Sequence, residues 1–134
     1  MAFDPEVADG RSAKEKSPVH VILCVDDNHL LLDIRAEVLE RAGYVVLRAA
    51  TADAALELFK TNKVDLVITD HLLEQGGTGT DLVASVRRLL PKVPVAIYSE
   101  MAESTDDAQR ADAFISKGAG TTQMLVEVAK LLKL

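Results

Sequence analysis

The chain has 134 residues, 49% hydrophobic and 27% charged, a balance typical of globular domains and unlike disordered or fibrous chains. That length suits one domain with a core large enough to offset its ordering entropy, and two domains would be crowded. The net charge of −6 disfavours a nucleic-acid surface, no apolar run nears the roughly 18 residues of a membrane span, and the N-terminus lacks the apolar stretch of a signal peptide.

Residues 1–18 hold Pro5, Pro18 and many charges without apolar periodicity, and are expected to be a flexible leader ahead of a domain over 19–134. Val19–Val25 is a continuous run of strand length, rich in β-branched residues, as expected of a strand covered on both faces. Cys24, the only cysteine, can form no internal disulfide and reads as a small buried hydrophobe, which suits a reducing cytoplasm. Asn28 is expected to cap a helix with Leu31, Ile34, Val38 and Leu39 inward, stopped at Gly43. A second strand follows over Tyr44–Ala49, then a helix capped by Thr51 with Ala54, Ala55, Leu58 and Phe59 on its apolar face. Val64–Thr69 is the third strand, finishing at Asp70. A third helix starts after Gly79, faces inward through Leu82, Val83, Val86 and Leu89-Leu90, and stops at Pro91. Pro94–Ser99 and Ala111–Ser116 are the fourth and fifth strands, and Thr121 or Thr122 is expected to cap a last helix with Leu125, Val128, Ala129, Leu131 and Leu132 inward.

Strict alternation of five strands with about five helices predicts an α/β, flavodoxin-like, doubly wound parallel sheet of order 2-1-3-4-5. The crevice of such a sheet lies beyond the carboxyl ends of the strands where the winding reverses. Asp26, Asp27, Asp70, Ser99 and Lys117 all end strands, so the topology predicts that they share one rim. Carboxylates crowded in a cleft repel, and a hard divalent cation with oxygen ligands relieves this, with Mg²⁺ the natural candidate and Mn²⁺ a substitute. Transfer of a phosphoryl group to a carboxylate needs a nucleophile and neutralisation of the moving oxygens. Asp70 fits the first need, and the metal, Lys117 and the Ser99 hydroxyl fit the second. A carboxylate is already ionised at neutral pH, so no general base is required.

The segments VILCVDDN, DLVITD, VAIYSE and AFISK, in that order, resemble the motifs of bacterial two-component receiver domains, over 19–134. The resemblance implies Asp70 as phosphoacceptor, Asp27 as a direct metal ligand, Asp26 acting chiefly through water, and the backbone carbonyl of Leu72 as a further ligand. It implies Ser99 and Phe114 as switch residues, with Phe114 turning inward when the hydroxyl moves toward the phosphoryl group; burying a Phe contributes about 1.5–3 kcal/mol. A sensor histidine kinase or histidine phosphotransfer protein is the implied donor, with a downstream protein target, no nucleic acid or membrane partner, and a weak homodimer within the family's range. The only catalysis implied is the domain's own Mg²⁺-dependent phosphorylation and dephosphorylation.

Some positions depart from the family pattern. Glu74 stands where many receivers have proline, in a Glu74–Gly79 loop one residue longer than usual, with Gly76, Gly77 and Gly79 able to absorb the change. Gly118 replaces the proline after the lysine, so the Lys117–Gly118 bond is expected to be trans. The Ser99–Lys117 interval is shorter than the norm by about one helical turn. Its 102–110 stretch is polar, so the helix there should be short, tilted or mobile, which puts in doubt partner contact through that helix, the fifth strand and the last helix. Leu72 and Met101 occupy the two positions that in receivers flank the route of attacking water; neither can orient it by hydrogen bonds, which predicts slow self-dephosphorylation.

Other chemistries fit less well. His20, His29 and His71 lack metal-ligand spacing, and the GGTGT stretch lacks the lysine of a phosphate-cradling loop. A haloacid-dehalogenase-type phosphatase needs a second Asp where Leu72 stands, and a flavodoxin-like cofactor binder needs a phosphate loop where this chain has Asp-Asp-Asn. The remaining alternative is a receiver-shaped protein-interaction module with weak or no physiological phosphorylation.

Overall fold

The computed structural model describes residues 19–70, 79–89, 92–99 and 111–134. The expected leader, residues 71–78 with Leu72 and Glu74, Leu90 and Pro91, and residues 100–110 with Met101 lie outside the described residues.

The elements alternate as expected: β1 (Val21–Val25), α1 (His29–Arg41), β2 (Val45–Ala49), α2 (Ala52–Thr61), β3 (Leu66–Asp70), α3 (Gly79–Leu89), β4 (Val95–Ser99), β5 (Ala113–Ser116), a 3₁₀ turn (Lys117–Ala119) and α4 (Gly120–Leu131). All strand pairs are parallel, and the sheet order is β2-β1-β3-β4-β5. Period-two alternation sorts each central strand between two core layers. Leu23 and Val25 of β1, Val67 of β3 and Val95 and Ile97 of β4 pack with Ala55, Phe59, Leu82, Val83 and Val86 of α2 and α3. Ile22, Cys24, Leu66, Ile68, Ala96 and Tyr98 face the other way, against Leu32 and Leu39 of α1 and Met124 and Val128 of α4.

Local chemistry sets both ends of α1 and the start of α2. Asn28 accepts from the Leu31 N–H and Thr51 from the Ala54 N–H, both at 3.1 Å, so each cap satisfies a donor that the helix leaves unpaired. Gly43 ends α1 at φ +103°, a conformation that a side chain would strain. Expectation fails at the last helix. Neither Thr121 nor Thr122 caps α4, whose N-cap is Ala119 with no side-chain bond. Ser116 instead accepts from the Gly118 N–H at 3.2 Å, so the chain turns directly off β5 and leaves both threonines exposed within the helix.

The phase of α1 also differs from expectation. Leu32, Arg35, Ala36 and Leu39 are buried, while Leu31 and Ile34 are 39% and 48% exposed. On α3, Leu82, Val83 and Val86 are buried as expected, whereas Leu89 is exposed. On α2, Ala55 and Phe59 are buried and Ala54 is exposed. On α4 the buried positions are Met124 and Val128, with Leu125, Leu131 and Leu132 packed at the margin.

Cys24 lies fully buried in β1, and burial pushes its thiol from about 9 up to about 12, with the Arg35 guanidinium as the main opposing influence. The folded state therefore keeps a proton that the unfolded chain loses across that interval. This contribution to stability is intact below pH 9 and declines as pH rises toward 12. Native protein at pH 8 is expected to resist thiol reagents that label it fully in denaturant. Cys24→Ala should remove part of the alkaline decline in urea unfolding; an identical decline in both proteins would show that Cys24 does not cause it.

Candidate functional site

The winding reverses between β1 and β3, whose neighbours β2 and β4 lie on opposite sides, and this opens a crevice at their carboxyl ends. Asp26 and Asp27 follow β1, Asp70 ends β3, and Lys117 follows β5. One carboxylate oxygen from each of Asp26, Asp27 and Asp70 lies within 4.8 Å of the others. At such separations each pair of charges repels by roughly 3 kcal/mol at the dielectric effective near a protein surface. The Lys117 Nζ answers part of this, 3.4 Å from Asp70 Oδ1 and 3.6 Å from Asp26 Oδ2.

Asp26 is the most enclosed of the acids, 1% exposed, and its oxygens are engaged from within the protein. Its Oδ1 accepts from the Asn28 N–H at 2.9 Å, and its Oδ2 accepts from Arg35 Nη2 at 2.9 Å. Arg35 is 4% exposed, lies 4.3 Å above the Tyr98 ring, and leaves Nε and Nη1 without a hydrogen-bond partner. The Lys117 Nζ approaches the same ring at 5.8 Å. Arg35 and Tyr98 were not anticipated from sequence. The available signal was an arginine in line with Leu32, Ala36 and Leu39 at helical spacing, about two turns beyond a pair of strand-end acids.

Of the residues expected at the rim, the fold thus gathers Asp26, Asp27, Asp70 and Lys117. Ser99 ends β4 in register with Ser116 of β5, but its side chain lies outside the described part of the molecule, as does Leu72 entirely. Phe114, opposite Ile97 on β5, is half-buried against the α2 and α3 layer. The Lys117–Gly118 bond is trans, as expected without proline. His20 packs edge-on against Tyr44, 6.5 Å between ring centres. Beside the site, Leu31, Ile34, Arg35, Tyr98, Lys117 and Met124 border a cleft of about 200 Å³ between α1 and α4, below the roughly 300 Å³ at which small-molecule pockets begin.

Residues 22–129 match the response regulator receiver domain family. The chain belongs to that family. This receiver is 30% identical over 117 residues to the transcriptional regulatory protein YvrH of Bacillus subtilis, an alignment covering 84% of this chain and 48% of YvrH. It is also 30% identical to SphR of Synechococcus elongatus, an alkaline phosphatase synthesis transcriptional regulatory protein. The receiver spans about half the length of each. Among solved structures, a CheY-like receiver from Methanospirillum hungatei superimposes with a TM-score of 0.79 at 28% identity, covering 87% of this chain and 95% of the other. TrrA of Thermotoga maritima, solved with Mg²⁺-BeF, shares the fold with a TM-score of 0.79 at 23% identity, covering 84% of this chain and 99% of the other. Receiver domains of response regulators are signalling domains that work with kinases and effector domains. Among the described residues no helix is long and apolar enough to cross a membrane.

Proposed function

We propose that this receiver is a cytoplasmic phosphoacceptor of a two-component phosphorelay, taking a phosphoryl group from a histidine kinase or histidine phosphotransfer protein onto Asp70. The observation that carries this reading is the meeting of Asp26, Asp27 and Asp70 within 4.8 Å, with the Lys117 ammonium 3.4 Å from Asp70. Three carboxylate oxygens on an open rim suit a hard divalent ion, and Mg²⁺ or Mn²⁺ would be held by Asp27, Asp70 and the Leu72 carbonyl, with Asp26 alongside. When bound, the ion supplies neutralisation of phosphoryl charge.

The chain's own residues account for the remaining steps. An Asp70 oxygen forms the new P–O bond as the bond from phosphorus to the donor breaks, and the bonding electron pair leaves with the donor. Lys117 meets a phosphoryl oxygen as charge builds, and the Ser99 hydroxyl meets another. Ser99 and Phe114 then carry the change toward an effector, Phe114 by deeper burial of its ring. The domain catalyses nothing beyond its own phosphorylation and dephosphorylation.

Acetyl phosphate with Mg²⁺ is expected to label the parent chain and not Asp70→Ala, and beryllofluoride to bind only the parent. Equal labelling of the two would move the acceptor elsewhere. No labelling and no beryllofluoride binding by the parent would favour a receiver-shaped interaction module without phosphorylation. Run as a chase, the same assay should show a slow loss of label that Leu72→Asn and Met101→Glu accelerate; an unchanged lifetime would remove the two apolar positions as its cause.

A further inference from the structure

We propose that Arg35 is a built-in cation of the acidic pocket, one that keeps Asp26 from ligating a metal directly and lowers the affinity of the site for divalent ions. The inference rests on the metal-dependent reading above and concerns how tightly the ion is held. Asp26 has its Oδ2 against Arg35 Nη2 at 2.9 Å and Lys117 Nζ at 3.6 Å, while its Oδ1 accepts from the Asn28 N–H. A metal ligated directly by Asp26 would have to share an oxygen with the Asn28 N–H or sit beside one of these two cations, which repel it. Arg35 cannot readily yield, because it is 4% exposed and stacked on Tyr98.

The guanidinium is poorly supplied for a merely structural arginine. It makes one charged hydrogen bond through Nη2, while buried Nε and Nη1 have no partner. Buried donors left unpaired are costly, and an apolar residue filling the same space would avoid that cost. What an apolar residue would not supply is positive charge. Among the described residues, Arg35 and Lys117 set two positive charges against the three carboxylates, so the pocket carries less net attraction for a dication than Lys117 alone would leave.

Titration of Mg²⁺ alone into the full chain by calorimetry, repeated with Mn²⁺ by electron paramagnetic resonance, tests this. Arg35→Gln and Arg35→Met are expected to bind Mg²⁺ about tenfold more tightly than the parent, since each removes a positive charge from beside the acids, whereas Arg35→Lys should bind much as the parent does. Should the neutral variants fold poorly by circular dichroism, Asp26→Asn with Arg35→Met removes the buried pair together. That double variant is expected within about threefold of the parent, because two opposite charges leave at once. Unchanged or weaker binding by folded Arg35→Gln, or a tenfold loss in the double variant, would overturn the proposal while leaving the phosphoacceptor reading intact. If the parent binds no Mg²⁺ but Arg35→Gln does, the role of Arg35 stands and the phosphoacceptor reading fails; if neither binds, both fail.

Discussion

Replacing Asp26 by alanine is expected to cost about 3–5 kcal/mol of folding stability, the range for breaking a buried ion pair by removing one partner. The loss comes mainly from what stays behind. Arg35, 4% exposed and already short of hydrogen-bond partners, would lose its one anionic contact, and the Asn28 N–H would lose its acceptor at the start of α1. Urea unfolding followed by far-ultraviolet circular dichroism measures the effect. Asp26→Asn should cost less, because its carbonyl oxygen can still accept from Arg35. A loss below about 1 kcal/mol for Asp26→Ala would mean that Arg35 finds water or another anion, and that the pair does not anchor α1 to β1.

The second large effect falls on Lys117. Lys117→Ala is expected to reduce phosphoryl uptake from acetyl phosphate by about 10²–10³-fold, the usual consequence of deleting a preorganised group that meets developing charge. Mg²⁺ binding should survive or tighten, since removal of the ammonium leaves Asp26 and Asp70 with more uncompensated charge. Calorimetry for the ion and acetyl-phosphate labelling for the transfer separate the two. Loss of both together would show that Lys117 holds the acids in place rather than meeting the phosphoryl group.

Where local chemistry decides the outcome, the primary structure is a sufficient guide. The uninterrupted Val-Ile-Leu-Cys-Val run is β1, covered on both faces, and Asn28 and Thr51 cap the helices they precede because each needs only a backbone N–H three residues ahead. The acids and Lys117 were legible for a related reason: strand ends in a doubly wound sheet fall on one rim wherever the intervening helices settle. Side-chain direction on α1 was not legible. Leu30, Leu31 and Leu32 are equivalent in hydrophobicity and give no rotational phase, and the observed phase buries an arginine. That burial is acceptable only because Asp26, nine residues earlier, supplies a counter-charge that appears once helix and strand have packed. Thr121 and Thr122 misled in a similar way, since Ser116 takes the capping role at a turn begun earlier than the periodicity of α4 suggested.

The reach of Lys117 back to Asp26 also bears on the order in which the domain can mature. A ribosome releases Asp26, Asp27 and Asp70, and the strands that carry them, well before β5 and the lysine behind it. A sheet paired only as far as β4 would gather its acids without the ammonium that offsets them. The pocket is therefore complete only once β5 has docked, and a chain halted before β5 would carry Asp70 without the lysine that lies beside it.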